Sequence, residues 1–139
     1  MEISEDWTDL LRLLLESNAK FVVVGGHAMG VHGLPRYTKD LDIFVDRSLE
    51  NAKLVQQSLI EFMGDDKGFG IENFTNPKKV TMLGFPPYRI DILTSIAGVS
   101  FQQVFKNQEL LQFGDLQVPF IGYEAVSYTH LTLPTTPYV

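Results

Sequence analysis

The stretch Gly25 to Asp46, GGHAMGVHGLPRYTKDLDIFVD, gathers the residue types best suited to chemistry. Two glycines follow an apolar run, and Asp40 and Asp42 flank a leucine where the next apolar run begins. Side chains alternate along a strand, so Asp40, Asp42 and Phe44 would share one face and Leu41, Ile43 and Val45 the other. Further on, YRIDIL repeats the pattern: Ile90 and Ile92 face inward, and Arg89, Asp91 and Leu93 face the opposite way. If the two strands are neighbours, Asp91 stands beside Asp40 and Asp42, and three carboxylates converge.

Like charges that close raise one another's pKa unless a cation intervenes. Two remedies are open. Arg36, Lys39 and Arg89 could neutralise the carboxylates as ordinary ion pairs, or a hard divalent cation could bind. Oxygen-only ligands suit Mg²⁺, with Mn²⁺ as its substitute; such an ion takes one or two carboxylates and completes its shell with substrate phosphates. The glycines make the complementary offer. A strand that ends in Gly25-Gly26 and feeds a helix presents backbone N–H groups at a positive dipole end to an anion, and His27 borders that position. Phosphate at the glycines and metal at the aspartates are two demands of one nucleotide. Taken singly, Gly-Gly reads as a tight turn and Asp-x-Asp as a solvated strand face; it is their spacing, with a third aspartate downstream, that favours a site.

Here the sequence resembles a known family. An apolar run with Gly25-Gly26, thirteen intervening residues, Asp40-Leu41-Asp42-Ile43 and later Ile90-Asp91-Ile92 is similar to the polymerase-β-like nucleotidyltransferase superfamily. The closest likeness is to its small bacterial Gly-Gly branch, which holds aminoglycoside nucleotidyltransferase-like and abortive-infection toxin-like proteins. Many relatives carry Ser after the first glycine; this chain has Gly26. The resemblance covers about Phe21 to Ala125. It implies that Asp40 and Asp42 hold two Mg²⁺ ions on a nucleoside triphosphate such as ATP. Asp91 would share the catalytic metal and help take the proton from the attacking hydroxyl. Arg36, Thr38 and Lys39, in the connecting loop, would steady phosphates or substrate. The reaction implied is metal-dependent transfer of a nucleoside monophosphate to a hydroxyl of a small molecule, a protein side chain or an RNA end, with pyrophosphate released. The rival is a non-catalytic binding module, such as an antitoxin-like half of a toxin–antitoxin pair that keeps the fold.

Composition narrows the classes. The 139 residues, 45% hydrophobic, suit one compact domain with a core of its own. With no cysteine, zinc–thiolate and disulfide chemistry are excluded, and a cytoplasmic setting is expected. A formal charge of -6 argues against broad nucleic-acid binding but leaves room for a local phosphate patch. No apolar run approaches the roughly 18–20 residues of a membrane helix, and the acidic start MEISEDW is the wrong flank for a signal peptide, so no membrane partner is expected. His27 and His32, five apart, do not share a helical face for zinc.

The elements that must position these groups read as α+β, a minimal nucleotidyltransferase fold with a mixed sheet flanked by helices. Trp7, Leu10, Leu11, Leu14 and Leu15 sit at helical spacing after Ser4. KFVVV reads as a buried strand, GHAMGVHG as a short helix and Pro35 as a loop residue. Ser48 to Met63 reads as a capped amphipathic helix with Leu54, Val55, Leu59 and Phe62 on one face. GDDKGFG reads as a loop, KKVTMLGF and PYRIDILTSI as strands parted at Pro86-Pro87, and Ser100 to Lys106 as a short helix. ELLQFGDLQVPFIG reads as a hairpin turning at Gly114-Asp115. Phe101, Phe105, Phe113 and Phe120 read as core. The domain is expected over 1–125. Residues 126–139, VSYTHLTLPTTPYV, carry no formal charge and resemble the translated read-through of a transposon adapter used in sequencing libraries; the alternative is a natural Thr/Pro-rich tail. Relatives continue instead into a helix with a lysine and a GR-KD-like segment.

Overall fold

A computed structural model describes residues 5–25, 40–65, 68–84 and 89–122. Gly26, His27, His32, Pro35, Arg36, Thr38, Lys39, the Pro86-Pro87 break and the tail 126–139 lie outside the described residues.

Helix α1 (Glu5–Glu16) buries Trp7, Leu10, Leu11 and Leu14, the stripe its spacing dictates. It ends where Asn18 takes a left-handed φ of 63°. There Ala19 N–H donates to Leu14 C=O and Asn18 N–H to Leu15 C=O, which satisfies carbonyls the helix end would leave orphaned. Strand β1 (Phe21–Val24) follows, buried along its whole length because both its faces are covered. Strand β2 (Asp40–Val45) leads into helix α2 (Leu49–Met63), capped by the Ser48 hydroxyl, which accepts from Asn51 N–H, and closed by Gly64 at φ 84°.

A short helix α3 (Glu72–Thr75) that the sequence pattern does not signal packs Phe74 inward, and then come strands β3 (Val80–Leu83) and β4 (Arg89–Leu93). β4 stops at Leu93, sooner than its apolar run suggests. The chain turns there, and Ile96 and Val99 form only an isolated bridge. Helix α4 (Phe101–Lys106) is capped by Ser100. Strands β5 (Glu109–Phe113) and β6 (Leu116–Phe120) form the expected hairpin, with Phe113 paired to Leu116 across Gly114-Asp115.

The six strands make one mixed sheet in the order β3-β4-β2-β1-β6-β5. β2 runs antiparallel to β1 and parallel to β4; β1 runs parallel to β6. With four helices among the described residues, the fold is α+β as expected. The two faces are covered differently. Leu41, Ile43 and Val45 are fully buried, and Ile90 and Leu83 border residues of α1 and α2. On the opposite face Phe44 meets Phe101 of α4 edge-on, ring centroids 5.1 Å apart. Phe44 shares its face with the aspartates, so half of that face is core rather than solvated. Among the described residues no helix is long and apolar enough to cross a membrane.

Two buried polar side chains fix α2, and an apolar periodicity cannot signal either of them. Ser58 reaches Leu54 C=O and the Ser17 hydroxyl at 3.0 and 3.2 Å, tying α2 to the end of α1. Asn51 accepts from Lys20 N–H at 2.7 Å and donates to Lys20 C=O at 3.0 Å and Asp46 C=O at 2.7 Å. It thereby clamps the start of β1 to the end of β2, the strand pair that carries the glycine and two aspartates. Leaving buried backbone groups unpaired costs about 1–3 kcal/mol each, so Asn51→Ala should lower unfolding free energy by about 2 kcal/mol or more. Urea unfolding checks this, and an unchanged midpoint would remove Asn51 from the clamp.

Candidate active site

Strand β2 places Asp40 and Asp42 on one face because they are two residues apart, and β4 places Arg89 and Asp91 there for the same reason. The parallel register pairs Asp40 with Arg89 and Asp42 with Asp91. Adjacent strands lie about 4.8 Å apart, so the two paired carboxyls are lateral neighbours. The structure thus brings Asp40, Asp42 and Asp91 together, as the alternation predicts. β1 supplies the fourth component. Val24 pairs with Asp42, and Gly25 follows at φ +77°. A Cβ on Gly25 would stand 2.2 Å from Asp42 Oδ2. The glycine is required by the close approach of the carboxylate as well as by its backbone angle.

Arg89 is the cation among the described residues that meets this cluster. Its Nη2 donates to Asp40 Oδ2 at 3.0 Å and to Asp91 Oδ2 at 3.2 Å. Its Nε lies 3.1 Å from Asp91 Oδ1, yet the alignment is poor enough that both atoms are buried without a hydrogen bond. This is ionic contact without a well-aligned bond. The carboxylates of Asp40 and Asp91 keep 25% and 13% of their surface, so the cluster opens to solvent on the Asp40 side.

Asp42 is buried, 6% exposed. Burial first, then the charges of Asp91 and Asp40, push its pKa up to about 8; the Arg89 charge opposes them, and a hydrogen bond to Asp91 adds to the rise. Asp42 therefore keeps its proton near neutrality and shares it with Asp91. The Asp91 pKa is also raised, chiefly by burial, with Arg89 opposing. The Arg89 guanidinium is held charged by Asp91 and Asp40.

Among the described residues no three Asp, Glu or His side chains form a ready-made metal cluster. Arg89 is engaged with two of the three carboxylates. The donor set nevertheless fits a hard divalent cation in its chemistry. All donors are carboxylate oxygens, and Asp91 Oδ1 is buried without a hydrogen-bond partner.

Comparison with known proteins places this mixed sheet in a class. A family model described as nucleotidyl transferase AbiEii toxin, type IV toxin–antitoxin system, matches residues 9–129. The chain belongs to this AbiEii nucleotidyltransferase toxin family. Among solved structures it is similar to a candidate nucleotidyltransferase of Thermotoga maritima, with a TM-score of 0.62 and 16% identity over 96% of this chain and 88% of that one. At that identity the likeness is one of fold. No curated protein matches the chain.

Of the residues singled out from the sequence, the structure brings Asp40, Asp42, Asp91 and Gly25 together, with Arg89 on the carboxylate face as the alternation in RIDIL places it. Nothing in the sequence signals that Gly25 abuts Asp42.

The close approach of Gly25 and the burial of Asp42 each have a measurable consequence. Gly25→Ala forces a side chain into Asp42 and a left-handed backbone, the latter alone costing about 1–2 kcal/mol. Its melting temperature should fall and nucleotidyl transfer should be lost; wild-type melting would show that the close approach is not maintained in solution. The second concerns pH. The folded state holds the Asp42 proton up to about 8, whereas the unfolded chain releases it near 3.8. Stability should therefore decline as pH rises from about 4 to 8 and level off above, because the folded state binds more protons in that window. Asp91 contributes with the same sign. In EDTA, Asp42→Asn should flatten most of the decline and melt above wild type at pH 8; equal slopes for the two proteins would contradict it.

Proposed function

We propose that this enzyme transfers a nucleoside monophosphate from a nucleoside triphosphate, such as ATP, to a hydroxyl acceptor and releases pyrophosphate, using Asp40, Asp42 and Asp91. The observation that carries the reading is the lateral pairing of Asp42 with Asp91, with Asp40 on the same face. That arrangement concentrates more negative charge than Arg89 neutralises. Membership of the AbiEii family supports nucleotidyl transfer as the reaction class. Asp40, Asp42 and Asp91 would hold Mg²⁺ or Mn²⁺, which when bound supplies charge stabilisation at the entering and leaving oxygens.

Each residue has a distinct task. Asp42 is pressed between Gly25 and Asp91, so its carboxyl is fixed in position and gives up its proton when positive charge arrives. Asp40, the more exposed partner, faces incoming triphosphate. Asp91 accepts the proton of the attacking hydroxyl. Gly25, Gly26 and His27 bind phosphate, and Arg36, Thr38 and Lys39 steady the triphosphate or acceptor. The acceptor is a small-molecule hydroxyl, a protein side chain or an RNA end, and the setting is the cytoplasm.

Asp91 and Asp42 should separate on substitution. General-base assistance contributes about 10²–10⁴-fold in rate, so Asp91→Asn should slow single-turnover transfer by that order with nucleotide affinity changed less than severalfold. Asp42→Asn should lose both affinity and transfer. Mass spectrometry of acceptors with each triphosphate and Mg²⁺ supplies the transfer assay, and calorimetric titration supplies the affinity. Normal transfer by Asp91→Asn would reduce Asp91 to a strand residue paired with Arg89.

A further inference from the structure

Arg89 stands where a metal ion and a triphosphate would both make demands. It precedes Asp91 by two residues on the same strand and lies opposite Asp40 in the register, so its position on the carboxylate face is dictated by the sheet. One nitrogen, Nη2, serves Asp40 and Asp91 together. The remaining contact, Nε to Asp91 Oδ1, lacks hydrogen-bond alignment, so the pair is not the two-pronged fork that makes arginine–carboxylate pairs strong. The side chain is a third exposed, which leaves it a path outward.

We propose that Arg89 is an internal countercation: it occupies Asp40 and Asp91 while no divalent ion is bound, and it must release Asp40 when metal and triphosphate enter. The inference rests on the reading of the acidic cluster as a metal–triphosphate site. A metal ion and the guanidinium compete for the same carboxylate oxygens and repel each other, and an arginine does not yield by losing its proton, so it yields by moving. The triphosphate gives it somewhere to go, because its oxygens offer the guanidinium a new anionic partner as the carboxylates are taken over. Metal alone should therefore bind weakly, and metal and nucleotide should strengthen each other's binding reciprocally. Arg89 is in this sense a positioning residue. It keeps Asp40 and Asp91 in register for loading and makes loading depend on both ligands.

The test is Mn²⁺ titration of the whole chain, followed by electron paramagnetic resonance, with and without a non-hydrolysable methylene triphosphate analogue. Wild type should bind Mn²⁺ weakly alone and at least about fivefold more tightly with the analogue, the lower end of typical coupling between sites. Arg89→Gln should bind Mn²⁺ alone more tightly than wild type by a similar factor, and its gain from the analogue should shrink toward none. Mn²⁺ affinity in Arg89→Gln equal to or below that of wild type, with the fold intact by circular dichroism, overturns the inference and leaves Arg89 as a structural ion pair. If Arg89→Gln does not fold, Arg89→Lys replaces it. An ammonium is a point charge that does not span both carboxylates, so Mn²⁺ alone should again bind more tightly, and unchanged or weaker binding overturns the inference. Asp42→Asn separates the two levels: if it binds Mn²⁺ as wild type does, the metal site itself is misplaced, and the countercation goes with it.

Discussion

Three carboxylates on one face of two adjacent strands set the constraint to which the rest of the site answers. Brought together by the register of β2 on β4, Asp40, Asp42 and Asp91 repel one another in a partly dehydrated setting. The fold meets this in two unequal ways. Arg89 compensates Asp40 and Asp91 directly, and Asp42, buried beside Asp91, keeps its proton near neutrality. Among the described residues Arg89 is the cation that meets all this charge. Retaining the repulsion is understandable if positive charge is delivered by ligands, as in a site that loads metal with a triphosphate.

The scaffold holds this arrangement by packing on both sides. Beneath the acids, Phe44 continues the same strand face and is covered by Phe101, which in turn stacks on Phe105. A hydrophobic floor therefore begins two residues from Asp42, and it contributes to the burial that raises the pKa. Above, Gly25 closes against the carboxylate with no room for a side chain. At the far end of the strand pair, Asn51 fixes where β1 enters the sheet relative to β2, which supports the register that brings the glycine to the aspartate. Site geometry and core stability are the same contacts seen from two directions.

For the transfer proposed above, the described residues suggest where a triphosphate would bind more clearly than where an acceptor would. The acidic cluster is open on the Asp40 side, where ligands would enter. The formal charge of -6 makes an extended nucleic-acid track unlike this chain, so an acceptor would be recognised locally. A countercation such as Arg89 would suit a toxin, because a site that loads only with metal and nucleotide together stays poised without idling.

What the sequence determined by itself is local. Alternation in DLDIFV and RIDIL assigned each aspartate to a strand face, the leucine spacing of α1 gave its buried stripe, and Ser48, Ser100 and the Gly114-Asp115 turn marked their elements, because each signal lies within a few residues. The glycine–aspartate spacing also carried the family. The tertiary structure decided what depends on partners far apart in sequence. It made β2 and β4 parallel neighbours, in a register that sets Asp42 beside Asp91 and Arg89 beside Asp40. It turned Phe44 from an outward residue into floor, gave the polar Asn51 and Ser58 their buried roles, and pressed Gly25 on Asp42. Periodicity cannot reveal such facts, since a strand's pattern says which face a side chain takes but not which strand lies next to it. The charge state of Asp42 belongs to the same class: it comes from burial and neighbours that only folding supplies.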